Sequence, residues 1–204
     1  MFRETGGVNT QKGIIFLTGL TLFTAAGVIR DCNRFDTAEF INRVKQYTAG
    51  ITESELKQGS PHTHGESCAA EYGTRLGGGI RYEAQQGFPT VFEQGLPALR
   101  SKLGTDVYPT REKELKEPLI YTLLALMSVA DDANILYRKG PQQLQRIKQM
   151  AAQTMAAMDT TGDSRQWDRE YRALMDYCLM ENISPGGSSD LLALTILLYF
   201  IEAR

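Results

Sequence analysis

Cysteine is scarce: Cys32, Cys68 and Cys178 are the whole complement in 204 residues. They are odd in number, far apart and without CxxC spacing, so neither a disulfide framework nor a cysteine-based zinc site is indicated; buried free thiols in a reducing compartment are expected. Charge of one sign is also missing. The 22 Lys and Arg are scattered among 24 Asp and Glu, which leaves no basic face to neutralise a nucleic-acid backbone and restricts any polyphosphate ligand to a small, locally gripped one. No stretch shows the sustained period-two alternation of strands, and the expected class is therefore all-α. A phosphate-binding GxxxxGK[ST] loop, an internal repeat and a low-complexity tail are likewise absent.

The apolar run from Ile14 to Ile29 is broken by Thr18, Gly19, Thr21, Thr24 and Gly27 and falls short of the roughly 20 residues a bilayer requires. It reads as a buried central helix, with no membrane partner. No basic segment with a cleavage site precedes it, so the expected location is cytoplasmic.

With 42% of residues hydrophobic and 23% charged, residues 1–204 suffice for one helical domain packed around that central helix. Asn9 or Thr10 is placed to cap the first helix. Asp36-Thr-Ala-Glu39 has the form of a capping box, and Phe40, Ile41, Val44, Tyr47 and Ile51 then recur on one helical face. Residues 58–65, QGSPHTHG, form a turn-rich connection that carries both histidines. Gly95 and Pro97 mark a kink, Pro118 belongs in the first two turns of a long helix, and Gly140-Pro141 separates that region from an amphipathic helix over 142–158.

Three places have the makings of a polar site. Ser184-Pro185-Gly186-Gly187-Ser188-Ser189-Asp190 joins a glycine pair to a helix start, where backbone amides approach an anion closely; the same pattern equally describes Ser188 or Ser189 capping an ordinary helix. Thr5 to Gly13 is a second glycine-led start, with Lys12 as a point charge beside it or as a solvated lysine. Asp131-Asp132-Ala133-Asn134 is expected at the end of an apolar helix, and an acid there needs a metal, a cation or hydrogen bonds. Mg²⁺ held by Asp131, Asp132 and Asn134 is one solution, and Arg138, seven residues beyond Asp131, would share its face. An Asp–Arg pair closing the helix is the other. His64, followed by Glu66, is the candidate base in the turn-rich loop. Arg81 to Ala84 offers an arginine and a carboxylate, or merely helical surface charge.

The strings GGVNTQKGIIF, THGE, IRYEAQQGFPTVFEQGLPAL, DDANILYRKG and NISPGGSSDLLAL together resemble, in order and across nearly the whole chain, the triphosphoribosyl-dephospho-CoA synthase family. The resemblance implies an all-helical fold. It also implies transfer of the triphosphoribosyl group of ATP to the ribose 2'-hydroxyl of 3'-dephospho-CoA, with release of adenine; the product is the prosthetic-group precursor of the citrate lyase or malonate decarboxylase carrier subunit.

Glycosyl transfer of this kind asks for a phosphate grip, a metal, a base and a carboxylate near a cationic sugar. Distributed over the residues above, Asn9, Thr10, Lys12, Arg81, Arg138, Lys139, Ser184, Gly186 and Gly187 would hold the substrates. Asp131, Asp132 and Asn134 would bind Mg²⁺, His64 would take the hydroxyl proton, and Asp190 or Glu66 would offset charge on the ribose. Gln11 stands where the family string GVNTHKG has histidine. The resemblance further implies a segment before GGVNT, so this chain corresponds to the C-terminal part of a longer fold: a fragment, one half of a split enzyme completed by a companion chain, or an inactive remnant. Two other readings compete: a non-catalytic helical partner that binds nucleotide or a carrier subunit, and an all-α magnesium–diphosphate enzyme suggested by the DDxN pattern.

Overall fold

The computed structural model describes residues 11–56, 64–104, 112–160 and 164–203, with the side chains of 55–56, 64–66, 112–113 and 164–166 outside that description. Helix α1 (Lys12–Cys32) is followed by α2 (Thr37–Thr48), the short α3 (Ile51–Leu56), α4 (His64–Gly77) and α5 (Gly79–Gln85). A single π-helical stretch, Val91–Gly95, leads into α6 (Leu96–Leu103), and α7 (Glu112–Val129), α8 (Ala133–Thr160), α9 (Ser164–Met180) and α10 (Gly186–Glu202) complete the order. Among the described residues there is no strand, as the missing period-two alternation implies.

The local signals explain several boundaries. Asp36 accepts a hydrogen bond from the Glu39 amide at 2.9 Å, half of a capping box; the Glu39 carboxylate does not reach back but receives Arg43 Nε at 2.6 Å. Phe40 and Val44 then point into the core, whereas Tyr47 is exposed and packs against Phe23 of α1. The register around Gly95-Pro97 relaxes into the π-helical turn before Pro97 starts α6. Pro118 lies in the second turn of α7. Gly140, at φ 79°, breaks α8 into two pieces, because only glycine takes that conformation without strain.

Two clusters form the interior. Leu17, Val28, Phe40, Phe88, Leu194 and Leu198 anchor one, between α1, α2, the π-helical stretch and α10. Leu124, Ile135, Leu136, Ile147 and Leu174 anchor the other, between α7, α8 and α9, with Cys68 of α4 and Cys178 in it. Of the three thiols Cys68 and Cys178 are buried as expected, but Cys32 is exposed at the end of α1.

The central position belongs to α10 and not to α1. Helix α10 packs on α1, α5, α6, α7, α8 and the π-helical stretch, so its apolar run is enclosed from several sides. Helix α1 buries one face through Leu17, Thr21, Thr24, Ala25 and Val28 and leaves Ile15, Leu22, Phe23 and Ile29 exposed. It is also longer than the apolar run suggested: 21 residues, long and apolar enough to cross a membrane by length and composition, with 28% of its most apolar window buried inside the protein.

Candidate active site

The DDAN segment does follow the end of an apolar helix, but its two aspartates lie outside the helix. Helix α7 stops at Val129, α8 begins at Ala133, and the two meet at a 60° bend. Asp131 and Asp132 occupy the connecting turn, so helical spacing does not govern where they point. Asp131 pairs with Lys148 at 2.5 Å, a lysine beyond the Gly140 break. Arg138, expected on the same face as Asp131, is exposed, and Lys139 is 3.8 Å from Glu181.

Asp132 is only 3% exposed. Its Oδ1 accepts from the amides of Asn134 at 3.0 Å and Ile135 at 3.4 Å, capping α8. Its Oδ2 accepts from the amide of Ser188 at 2.8 Å and the Ser188 hydroxyl at 3.0 Å. Burial pushes this carboxyl above the usual range, while hydrogen bonds from Ser188, Asn134 and the Gly187 amide pull it back without cancelling the rise.

The turn after α7 is therefore docked on the start of α10. A Cβ on Gly187 would lie 3.1 Å from Asp132 Oδ1, and one on Gly186 would lie 2.5 Å from Asn134 Nδ2. The glycine pair has a packing reason, and the amides of Gly187 and Ser188 that a phosphate would use are turned to Asp132. Ser184, before the junction, is exposed.

Asp190, one turn into α10, reaches a different helix. A Cβ on Gly13 of α1 would stand 2.0 Å from Asp190 Oδ2 and 2.9 Å from Ile80 Cδ1 of α5. Partial burial and the nearby Asp132 charge push the Asp190 carboxyl up to about 6. Beside Ile80, the Arg81 guanidinium lies over the Phe16 ring of α1, 5.6 Å from its centroid, a cation–π contact. Lys12 is exposed on the first turn of α1. Gly79 of α5 completes the convergence, since a Cβ there would be 2.9 Å from the Ala133 Cβ. Four sequence strings that are distant along the chain thus meet at one corner, at the beginnings of α1, α5, α8 and α10.

Glu83, a carboxylate in the Arg81 to Ala84 stretch, turns inward. It accepts from the Thr90 amide at 2.6 Å and the Thr90 hydroxyl at 3.0 Å, which fixes the entry to the π-helical stretch. Burial raises its carboxyl above the ordinary range, with the Asp131 charge adding to the rise. The threonine seven residues later was the available signal, but α5 ends at Gln85 and the positive φ of Gly87 and Phe88 breaks the helix between the two, so helical spacing does not relate them. Cys68 donates to the Ala133 carbonyl at 3.5 Å; burial, aided by Glu71, pushes this thiol up to about 11, so it stays protonated at neutral pH. Asn9, Thr10 and the side chains of His64 and Glu66 lie outside the described residues.

The proposed Mg²⁺ ligands do not fit a metal as they are placed. Asp132 has both oxygens filled by amide and hydroxyl donors, Asp131 is occupied by Lys148, and no group of three His, Cys, Asp or Glu among the described residues is arranged to hold a metal ion.

A family profile described as ATP:dephospho-CoA triphosphoribosyl transferase matches residues 1–204. The chain belongs to that family. It is 30% identical over 207 residues to a probable 2-(5''-triphosphoribosyl)-3'-dephosphocoenzyme-A synthase of Malonomonas rubra, covering 99% of this chain and 62% of that protein. The protein of that name in Citrobacter koseri is 34% identical over 197 residues, covering 96% of this chain and 61% of the relative. Protein CitXG of Haemophilus influenzae is 32% identical over 213 residues, covering 100% and 43%. The chain thus spans under two thirds of the length of these three relatives. No solved structure matches. Within the family, the corner where the four helix starts meet is the part of this chain that gathers its charged and glycine-bearing strings.

Proposed function

We propose that the chain carries out, or contributes the main helical portion of, triphosphoribosyl transfer from ATP to the ribose 2'-hydroxyl of 3'-dephospho-CoA. Adenine is the leaving group, and the product is the prosthetic-group precursor of a citrate lyase or malonate decarboxylase carrier subunit. The observation that carries this reading is the family match over residues 1–204; the meeting of Gly13, Arg81, Asp132 and Asp190 supports it.

In this reading the 2'-hydroxyl oxygen bonds to the anomeric carbon of the ATP ribose as the carbon–nitrogen bond to adenine breaks. The hydroxyl proton passes to a base, for which His64 is the candidate, and the departing adenine nitrogen takes a proton. Positive charge builds on the ribose in the transition state. Asp190, ionised, would be the carboxylate that offsets it, with Glu66 as the alternative, and both would act most strongly in a site from which water is excluded. Lys12 and Arg81 are the cations near Asp190's corner suited to the triphosphate; Arg138 and Lys139 lie further along α8. Magnesium belongs in this reading to the triphosphate, which chelates it, and not to Asp132. The expected compartment is the cytoplasm.

Incubation with ATP and 3'-dephospho-CoA, followed by chromatography for free adenine, tests the reading. Stoichiometric adenine release supports it. Nucleotide binding without release, in the chain alone and together with the part of the family fold found in the longer relatives, would replace it with a non-catalytic partner role.

A further inference from the structure

We propose that Asp132 is a positioning residue: its single carboxylate clasps the first turns of α8 and α10 and so sets where Asp190 stands against α1. The activity part of this inference rests on the transferase reading above; the mechanical part does not.

Helix starts carry amides with no partner inside the helix, and one side-chain acceptor ordinarily serves one start. Asp132 serves two. Oδ1 takes the Asn134 and Ile135 amides of α8, and Oδ2 takes the Ser188 amide and hydroxyl of α10. The two helices are 56 positions apart along the chain at this contact, so the link is tertiary. The approach is close as well as bonded: a Cβ on Gly187 would press on the carboxylate, and one on Gly186 would displace the Asn134 amide group. Bonds in two directions leave the start of α10 little freedom to rotate about its axis.

Asp190 stands within that clamped turn. Its oxygen is seated where a Cβ of Gly13 would be, a clearance that a small rotation of α10 would close or open. The fixed point, Asp132, and the group it places, Asp190, are thus tied through the single helical residue, Ser189, that separates Ser188 from Asp190. The same saturation that makes Asp132 a poor magnesium ligand makes it a good anchor: a carboxylate with filled lone pairs, enclosed by protein, is worth keeping only for what it holds.

The test compares intact protein with Asp132→Asn and the milder Ser188→Ala. Amide hydrogen exchange is followed at Asn134, Ile135, Gly187 and Ser188, and adenine release is followed with Mg²⁺ varied. The asparagine NH2 cannot accept, so one helix start loses its acceptor directly and the other loosens because the clasp that joins them is broken; exchange is expected to speed up at the starts of both α8 and α10, by about 10-fold or more. Turnover is expected to fall about 100-fold, the scale of a 1 Å misplacement, while KM for ATP moves less than about 3-fold. Ser188→Ala keeps the amide donors and the whole Asp132 carboxylate and is expected to fold even should the asparagine variant not, with faster exchange at the start of α10 and a smaller loss in turnover.

Recovery of turnover at high Mg²⁺, or a parallel loss of Mn²⁺ affinity measured by electron paramagnetic resonance, would make Asp132 a metal ligand and overturn the proposal. Exchange altered at one helix start alone in Asp132→Asn, or exchange at the start of α10 and turnover both unchanged in Ser188→Ala, would overturn it too. A wild-type chain that releases no adenine, alone and together with the rest of the family fold, defeats the transferase reading and leaves the exchange measurement to decide the clasp by itself.

Discussion

The Asp190 carboxylate occupies the space in which Gly13 would carry a side chain: an added Cβ would be 2.0 Å from Oδ2. Alanine in the first turn of a helix is normally the better residue, by up to about 1 kcal/mol over glycine. Here it displaces Asp190. Gly13→Ala is expected to gain none of that and to lose about 1 kcal/mol instead, the scale of mild overpacking. Combining it with Asp190→Ala should restore the ordinary alanine advantage, and non-additivity in urea unfolding of the four proteins of the cycle is the measurement.

Asp190 also predicts a pH dependence. Its carboxyl is pushed up to about 6 from 3.8, because partial burial and the Asp132 charge penalise the ionised form. A raised carboxyl pKa favours the folded state fully below about 3.8, and that advantage is lost as pH rises through 6. Relative to Asp190→Asn, the melting temperature of the wild type should therefore decline between pH 4 and pH 6.5 and stay lower above it. Turnover should move the opposite way, rising through an apparent pKa near 6 as the carboxylate forms, and the asparagine variant should lack that limb.

Glu83 holds the amide and hydroxyl of Thr90 from inside the fold. Glu83→Ala leaves both donors without their acceptor in a mostly enclosed place, and a loss of about 2 kcal/mol is expected. Thr90→Val removes the hydroxyl alone and should cost less, about 1 kcal/mol. Chemical denaturation of the two variants separates the amide contribution from the hydroxyl contribution.

Gly140 has φ 79° and open space where a Cβ would be. Its substitution by alanine is a purely conformational change, expected to cost about 1–2 kcal/mol. The cost should appear in thermal melts without a change in adenine release, since Gly140 lies outside the corner that gathers Asp132 and Asp190. A large loss of activity would show that the bend carries Lys148 to Asp131 for a purpose beyond pairing.

Much of the local structure was readable along the chain. Asp36 announced α2, Gly140-Pro141 announced the break in α8, and Pro118 sat where an early helical turn tolerates it, because caps and breakers act over one turn of neighbouring residues. The all-helical class followed from periodicity for the same reason. Three of the family strings, at the α1 start, the DDAN turn and the SPGGSSD start, do meet.

Their roles were another matter. A helical spacing argument paired Asp131 with Arg138, but Asp131 stands in a turn and its cation is Lys148, brought over by a bend. The glycines at 186 and 187 suggested room for phosphate, and the room is taken by Asp132 and Asn134. Helix α1 read as the central element, yet α10 is the one enclosed on several sides, since apolarity says that a surface prefers burial and not which neighbours will cover it. Sequence by itself determined the helical class, several helix ends and breaks and the list of polar residues worth watching; those properties depend on backbone sterics and on side chains a turn apart. Only the tertiary structure decided that one carboxylate faces two helix starts and another rests on a glycine of a third, because those contacts depend on how rigid helices cross, and a crossing leaves no mark at any fixed spacing along the chain.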